Sequence, residues 1–228
     1  MIDIIIPVLN EAAIIKPTLE KLRDSRGEIE IIVVDGGSKD NTVTIAKEVD
    51  VKVITASGGR SAQMNAGANA ARGDILLFLH ADTQLPSNFV DLITQTLNQP
   101  GVIAGAFELA IEGNGRSLRA VEKLVKVRSH WFSLPYGDQA IFMTEQIFTE
   151  VGGFPNIPIM EDFELIQRLK RRGKIAIAPA AVVTSGRRWQ KLGVWQTTII
   201  NQLIIAGYYL GISPTKLSKF YRRQKIKQ

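Results

Sequence analysis

The sequence contains no cysteine and only two histidines among its 228 residues. The absence of cysteine excludes a disulfide framework and any thiolate metal site, and it agrees with a reducing cytoplasm. His80 has no second histidine at a ligand spacing, so a zinc site is not supported. A dinucleotide-binding enzyme is not indicated either, because no G-x-G-x-x-G motif follows the first predicted strand.

Acidic residues are missing from the C-terminal part of the chain. All 22 acids lie at or before Glu164 together with 14 of the 28 bases, so this part carries a formal charge of −8. The last 64 residues hold the other 14 bases and carry +14. We interpret this basic end as attracted to anionic lipid or to nucleotide phosphates, with a solvated tail and nucleic-acid binding as alternatives. Its aromatic residues follow helical patterns typical of packing, which argues against nucleic acid as a partner.

Long hydrophobic runs are missing as well. The N-terminus has Asp3 where a signal peptide has bases, and its apolar run stops at Pro7. Segment 194–210 is interrupted by Gln196, Asn201 and Gln202, and it is too short and too polar to predict a membrane-spanning helix. We therefore expect a cytoplasmic protein in which this segment docks on the domain or lies peripherally on the inner face of the plasma membrane.

Short apolar runs alternate with helix-like segments over the first hundred residues. Runs rich in Ile, Val and Leu indicate parallel strands that are buried on both faces, at Ile2–Val8, Ile29–Asp35, Val51–Thr55 and Ile75–Ala81. The segments between and after them predict helices at Pro17–Asp24, Thr42–Val49, Ser61–Arg72 and Asn88–Gln99. This order predicts an open α/β sheet with right-handed crossovers and a ligand site beyond the carboxyl ends of its strands.

The second half of the chain predicts one longer strand and several helices. The strand is Val102–Ile111, and the helices are Leu118–Phe132, Thr144–Val151, Asp162–Arg172, Val194–Leu210 and Pro214–Arg223. We expect residues 1–190 to form one catalytic domain. Residues 191–228 then form a basic amphipathic helical extension that packs on the domain or on a membrane surface.

Polar side chains follow each of the first four predicted strands. Each has an ordinary structural explanation when taken singly, such as a helix cap or a turn. Together they would place several carboxylates at one sheet edge, where a cation or a bound ligand usually compensates their repulsion. A nucleotide sugar needs a carboxylate for its base or ribose, a divalent ion for its diphosphate and basic donors, which Asp35, Asp82 and Arg60 provide. Mg²⁺ or Mn²⁺ suits such a site, because these ions combine few carboxylates with substrate phosphates.

Three segments resemble, in order and spacing, the motifs of the inverting GT-A glycosyltransferases of family 2. They are Pro7-Val8-Leu9-Asn10-Glu11, Val33-Val34-Asp35-Gly36-Gly37-Ser38-Lys39-Asp40-Asn41-Thr42 and His80-Ala81-Asp82. The resemblance extends over residues 1–190 and is greatest to a small bacterial subgroup of the arsenosugar-biosynthesis type. It implies a GT-A-like open, mixed and mainly parallel sheet flanked by helices, with a C-terminal helical extension. It also implies metal-dependent, inverting transfer of a sugar, of the hexosyltransferase type, from a nucleotide-diphosphate donor.

The resemblance assigns residues to the donor and to the metal. Asp82 would bind the ion, while His80 stands where the family has the first Asp of its D-x-D motif. A ligand role for His80, an orienting role and no role at all stay open. The residues expected at the nucleotide sugar are Pro7, Asn10, Glu11, Asp35, Gly36, Arg60, Gln63, Asn65, Ala81, Asp82, Arg187 and Arg188.

The catalytic assignment follows the family's acidic pair, Glu161-Asp162. Asp162 would be the base that deprotonates the acceptor hydroxyl, although acids at a helix start also have a purely structural explanation in the helix dipole. Asp138, Gln139 and Trp189 would lie on the acceptor side. Ser185 stands where processive relatives have the Gln of Q-x-x-R-W, so we expect a non-processive enzyme.

The nature of the acceptor is left open, as a small molecule or a lipid-linked molecule. An anionic membrane surface and a second copy of the chain are further expected partners. The alternative function is a catalytically silent protein that binds nucleotide sugars or acts as a scaffold. A sugar-nucleotide pyrophosphorylase is not indicated, because the segment after the first strand lacks its Gly-rich, Arg-containing loop.

Overall fold

The computed structural model describes residues 1–187, 189 and 193–226. Eight strands form one sheet in the order β3-β2-β1-β4-β7-β6-β8-β5. They are β1 Ile2–Val8, β2 Ile29–Asp35, β3 Lys52–Thr55, β4 Ile75–Phe78, β5 Thr83–Gln84, β6 Val102–Ile111, β7 Ile141–Thr144 and β8 Lys174–Thr184. The predicted nucleotide contact of Arg188 lies outside the described residues.

Helices cover both faces of this sheet. Those that follow the first strands are α1 Ile15–Arg23, α2 Thr42–Glu48, α3 Arg60–Ala70 and α4 Phe89–Leu97. The later ones are α5 Arg116–Phe132, α6 Glu145–Glu150, α7 Glu161–Lys170, α8 Val194–Tyr209 and α9 Pro214–Ile226, with a 3-10 turn at Gly137–Gln139. The mixed, mostly parallel open sheet flanked by helices confirms the predicted fold class.

The parallel half of the sheet is built from the Ile- and Val-rich runs. β1 pairs in parallel with β2 and β4, and β2 pairs in parallel with β3. Side chains of β1 alternate between two cores, since Ile4 and Ile6 pack in one and Ile5 in the other. A Cβ at Gly67 would overlap Cγ2 of Ile5, so this glycine lets α3 approach the sheet closely. The register places Val8 opposite Asp35 and therefore aligns the carboxyl ends of the two strands.

The other half of the sheet mixes strand directions. β7 runs antiparallel to β4 and β6, whereas β8 runs parallel to β6 and antiparallel to β5. β5, β7 and β8 were not among the strands predicted from the sequence. β8 is rich in alanine and contains Pro179, which a strand interior tolerates only at an edge or an irregularity. Here the register with β6 shifts between Phe107 and Glu108, opposite the segment that contains this proline.

The C-terminal helices pack on the domain through a third apolar cluster. Ile200 and Ile204 of α8 and Leu217 of α9 contact Met160 and Phe163, at the start of α7. This contact agrees with the predicted docking of the extension, while a boundary at residue 190 stays a prediction. Across the described part of the chain, every helix falls short of the length and apolarity that crossing a membrane requires.

Candidate active site

The carboxyl ends of β1 and β2 are held together by Gln63 of α3. Its side-chain amide donates to the carbonyl oxygens of Val8 at 2.8 Å and Val34 at 2.7 Å, and Gln63 itself is buried. Gly36 donates its N–H to the same Val8 oxygen at 2.9 Å, and a Cβ there would lie 3.0 Å from Nε2 of Gln63. The structure thus gives Gln63 a bracing role, and its predicted contact with a nucleotide stays a prediction.

The loops after β1 and β2 form one wall of the site. The buried carboxylate of Asp35 accepts the N–H groups of Gly37 at 2.9 Å and Ser38 at 3.1 Å. Asn10 donates its own N–H to Oγ of Ser38 and accepts the N–H of Lys39 on Oδ1, both at 2.8 Å. The two loops therefore hold each other in one conformation.

Arg60 links the ends of β4 and α7. Its Nε donates to Oε1 of buried Glu161 at 2.9 Å, and its Nη1 lies 3.1 Å from Nε2 of His80. Burial and the neighbouring Arg60 together lower the pKa of His80 to about 3. The imidazole is therefore neutral, and this geometry assigns its proton to Nδ1, so that Nε2 accepts from Arg60. With its proton on Nδ1 and its Nε2 lone pair directed at Arg60, the ring in this arrangement has no lone pair left for a metal ion, and the ligand role of His80 stays a prediction.

Two neighbouring acids stabilise the charge of Arg60. Burial opposes the charged guanidinium, but the carboxylates of Glu161 and Asp162 outweigh this and raise the pKa of Arg60. The cation and the two acids thus form one mutually stabilising group, although Arg60 and Glu161 are 101 residues apart in sequence.

Asp162 is positioned by a loop that comes before it in the sequence. Gly137 donates its N–H to Oδ2 of Asp162 at 2.7 Å, and Oδ1 accepts the N–H of Phe163 at 2.8 Å. A Cβ at Gly137 would lie 3.2 Å from that Oδ2 and 3.3 Å from Nε2 of His80. The glycine therefore allows the loop to approach both side chains, a requirement that the sequence analysis did not assign.

Backbone strain borders the site at three non-glycine residues. Asn10, Ala140 and Met160 have φ angles of 56°, 50° and 71°. Left-handed conformations at such residues cost on the order of 1–3 kcal/mol each and are common where side chains must be aimed at a ligand. Met160 immediately precedes Glu161 and turns the chain into the first turn of α7, where both acids lie.

A narrow cavity joins these groups. Its volume is about 10 Å³, near the smallest that can hold one water molecule. Its lining includes Pro7, Arg60, His80, Gly137, Glu161 and Asp162. A larger open cleft of about 1040 Å³ lies elsewhere, between α3 and α6, and it contains none of the predicted site residues except Asn65.

Asp82 lies at the rim, opposite a cation. Nη2 of Arg187 is 3.4 Å from Oδ2 of Asp82 and 3.8 Å from Oε2 of Glu11. The partners come together because Ser185, at the end of β8, donates its N–H to the Asp82 carbonyl oxygen at 3.1 Å. A positive charge therefore stands between two rim carboxylates. In the described part of the chain, no group of three or more His, Cys, Asp or Glu is arranged to hold a metal ion by itself.

Asp138 is close enough to Asp162 for the two carboxylates to interact, and one of its own carboxylate oxygens is buried without a hydrogen bond from the described residues. Among the described residues, no hydrogen-bond partner faces its buried Oδ1. Burial raises the pKa of Asp138, and Asp162 raises it further, while Arg128 and Arg60 oppose the shift. An unsatisfied carboxyl oxygen at this position agrees with the predicted contact to an acceptor hydroxyl, which stays a prediction.

Gln139, predicted to lie on the acceptor side, has a structural role instead. It is fully buried, and its Oε1 accepts from Nη2 of Arg128 at 2.8 Å and Oγ of Ser129 at 2.9 Å. Its amide donates to the Phe107 carbonyl oxygen at 2.8 Å. No polar atom of this side chain is exposed, so the predicted contact of Gln139 with an acceptor is wrong.

Three other predicted residues are also engaged within the protein. The side-chain amide of Asn65 donates to the Phe154 carbonyl oxygen at 2.8 Å and accepts its N–H at 2.9 Å. Ala81 is buried, and its carbonyl oxygen accepts from Oγ1 of Thr18 at 2.7 Å. Trp189 is half-buried against the main core. These contacts support the walls of the site, and direct ligand contacts of the three stay predictions.

Gln139→Leu is expected to lower the free energy of unfolding by about 1–3 kcal/mol, because Arg128 and Ser129 lose a buried acceptor and Phe107 loses a donor. Urea denaturation of the purified variant measures this change. Gln146→Leu, the same substitution on an exposed helix position, is the matched control and should stay within about 0.5 kcal/mol of wild type. Equal stabilities of the two variants would contradict the buried network.

The fold and the position of the site at the ends of parallel strands define a GT-A architecture. A mannosyltransferase of Pyrobaculum calidifontis, solved in complex with GDP-Man and Mn2+, is similar with a TM-score of 0.66 and 20% identity over 80% of this chain and 56% of its own. TarS 1–349 of S. aureus gives a TM-score of 0.66 and 16% identity over 81% of this chain and 60% of its own. At sequence identities of 16–20%, structural similarity shows that the fold is shared.

The family follows from the sequence itself. The family model of Glycosyl transferase family 2 matches residues 3–155, and the chain belongs to that family. An uncharacterized glycosyltransferase of Rickettsia conorii is 29% identical over 81% of this chain and 34% of its own length. Glycosyltransferase AglE of Haloferax volcanii is 25% identical over 68% of this chain and 56% of its own length. The chain thus spans between a third and somewhat more than half of these relatives.

Proposed function

We propose that this protein transfers a sugar from a nucleotide-diphosphate donor to an acceptor hydroxyl, with inversion and without processive polymerisation. The observation that carries the proposal is the junction of Arg60, Glu161, His80 and Asp162 at the carboxyl ends of the parallel strands. Family membership agrees with this chemistry. The narrower likeness to the arsenosugar-type subgroup rests on the sequence motifs.

The donor nucleotide is proposed to lie against the loops after β1 and β2. Asp35 and Asn10 hold these loops in one conformation, and Pro7 lines the cavity beside them. Donors of the right kind are known for proteins of this fold. The Pyrobaculum mannosyltransferase was solved with GDP-Man, and TarS with UDP-GlcNAc.

A divalent ion, Mg²⁺ or Mn²⁺, is proposed to be held through Asp82. The fit rests on two rim carboxylates, Asp82 and Glu11, which lie 3.4 Å and 3.8 Å from the same guanidinium nitrogen of Arg187, and an ion bound at Asp82 would take the place of this guanidinium. Two neighbours of this fold were solved with Mn2+, the Pyrobaculum mannosyltransferase and a mycobacterial glucosyl-3-phosphoglycerate synthase. The ion would neutralise the charge that develops on the leaving diphosphate.

Asp162 is proposed to remove the proton of the acceptor hydroxyl. Its Oδ2 is oriented by the Gly137 N–H, and the helix start of α7 presents the carboxylate at the cavity. A carboxylate within hydrogen-bond reach of the hydroxyl suffices for general-base catalysis. Glu161 acts as a positioning residue, because its carboxylate is occupied by Arg60.

Incubation with a panel of nucleotide sugars and Mn²⁺ tests the proposal. Slow hydrolysis of one donor, with release of nucleotide diphosphate, is expected even without an acceptor. A silent binder would bind a donor without releasing nucleotide, and binding without any turnover would therefore reject the enzymatic proposal.

Arg187→Ala is expected to weaken the binding of nucleotide diphosphate about tenfold, because a charge-assisted contact to the diphosphate is lost. Binding of Mn²⁺ alone is expected to stay equal or to tighten, since the guanidinium beside Asp82 is removed. Titration calorimetry measures both affinities. Arg26→Ala, at an exposed loop position, is the control and should change neither. Weaker binding of Mn²⁺ alone would contradict the role assigned to Arg187.

A further inference from the structure

Helix α8 has an exposed apolar stripe. Its 16 residues contain no charged side chain. Thr197, Ile200, Ile204 and Gly207 are buried against the domain. The opposite side exposes Trp195, Ile199 and Leu203, with Trp195 62% exposed. The spacing of these three residues repeats every fourth position, so they form one continuous row along the helix. Such a row is costly to leave in water.

Helix α5, which contacts α8, has a similar stripe. Leu124, Val127 and Trp131 are exposed at helical spacing, and Trp131 is 83% exposed. We call these three residues and Trp195, Ile199 and Leu203 the α5–α8 surface. Exposed tryptophans on two neighbouring helices are uncommon for a surface that faces only water, and tryptophan is typical of membrane–water interfaces.

Basic residues are exposed on α5 itself and on α9, the helix that packs against α8. Lys123 is exposed next to Leu124 on α5. Helix α9, which packs on α8 through Leu217, exposes Lys216, Lys219 and Arg222 and contains no acid. An apolar stripe bordered by Lys and Arg is the pattern of helices that lie in the plane of an anionic bilayer surface.

We propose that the α5–α8 surface docks on an anionic lipid bilayer, with its apolar side chains at the level of the headgroups and its basic residues on the lipid phosphates. The proposal extends the predicted membrane contact of the basic C-terminal segment to α5, a helix of the predicted catalytic domain. The charge of the flanking residues selects anionic lipid over a second copy of this chain, because two such surfaces would bring like charges together.

The surface is connected to the catalytic elements at both helices. α5 ends at Phe132, and the chain continues into the loop that donates the Gly137 N–H to Asp162. Behind α8, the hydroxyl of Tyr208 donates to Oε2 of Glu164 on α7 at 3.0 Å. Docking would hold the acceptor side of the site near the membrane, where a lipid-linked acceptor hydroxyl is available. This inference rests on the proposed function.

Cosedimentation with phosphatidylcholine vesicles, with and without phosphatidylglycerol, tests the proposal. The full chain should pellet with the anionic vesicles and be released by added salt. Trp131→Ser and the double variant Ile199→Ser/Leu203→Ser should each weaken this binding about tenfold, because each removes apolar area from the bilayer. Val183→Thr, at an exposed apolar position on β8, is the matched control and should bind like wild type.

Separate measurements distinguish this proposal from the proposed function. Nucleotide binding by calorimetry, without vesicles, should be unchanged in the surface variants, because none of the changed residues lies in the site. Equal recovery with neutral and anionic vesicles would overturn the proposal, as would wild-type vesicle binding by all surface variants. A dimer that these variants dissociate in analytical ultracentrifugation, without vesicle binding, would assign the surface to a second copy instead.

Discussion

Asp162→Asn is expected to lower the rate of sugar transfer by about 10²–10⁴, the loss that follows removal of a general base. The amide keeps the size of the carboxylate, and its oxygen still accepts the Gly137 N–H that orients the side chain. It has no basic oxygen for the proton of the acceptor hydroxyl. The affinity for nucleotide and Mn²⁺ should therefore stay within a few-fold of wild type, so that the effect falls on kcat.

Two neighbouring residues provide the controls for this variant. Glu161→Gln should be the milder change, because Glu161 is paired with Arg60 and acts on position rather than on the proton. Glu164→Gln, in the same helical turn but bonded to Tyr208 outside the cavity, should leave kcat near wild type. Analysis of the product by NMR adds a second measurement. A retained anomeric configuration, or a near wild-type rate for Asp162→Asn, would refute single displacement with Asp162 as the base.

Asp82→Ala is expected to weaken metal-dependent binding of nucleotide diphosphate about a hundredfold, or about 2.7 kcal/mol. The reason is that Asp82, the rim carboxylate between β4 and β5, is proposed to hold the ion, and Mg²⁺ or Mn²⁺ is usually bound through only one or two protein carboxylates. Calorimetric titrations with and without Mn²⁺ measure the difference. The variant should lose the increase in affinity that the ion produces and keep the weaker, metal-independent binding.

The matched control for Asp82→Ala is Asp91→Ala, which removes an exposed carboxylate from the first turn of α4. It should keep the full metal dependence. Thermal unfolding of both variants verifies that the fold is intact, since ligand binding raises the melting temperature only of a folded protein. An unchanged metal dependence in Asp82→Ala would move the proposed ion site away from this residue.

The elements that the sequence predicts best are strands that are largely buried. The predicted bounds of the strands Ile2–Val8, Ile29–Asp35 and Val102–Ile111 agree with the structure at both ends. The first two are nearly unbroken runs of branched apolar residues, and such runs fit a strand covered on both faces. β8 shows the limit of this argument, because its alanines and Pro179 carry little strand signal and its pairing with β6 stabilises it instead.

For the site, too, local sequence patterns predict some features and tertiary contacts determine the others. By itself the sequence determined the family, the parallel strands and the edge at which Asp35, Arg60 and Asp82 lie, because these follow from local patterns and from where parallel strands end. Only the tertiary structure decided which groups meet. It paired Arg60 with Glu161 and Arg187 with Asp82, partners 101 and 105 residues apart. It also withdrew Gln139 into a buried network and brought Gly137 to Asp162. Hydrogen bonds and ion pairs depend on distance and burial, and the packing of the whole chain sets both.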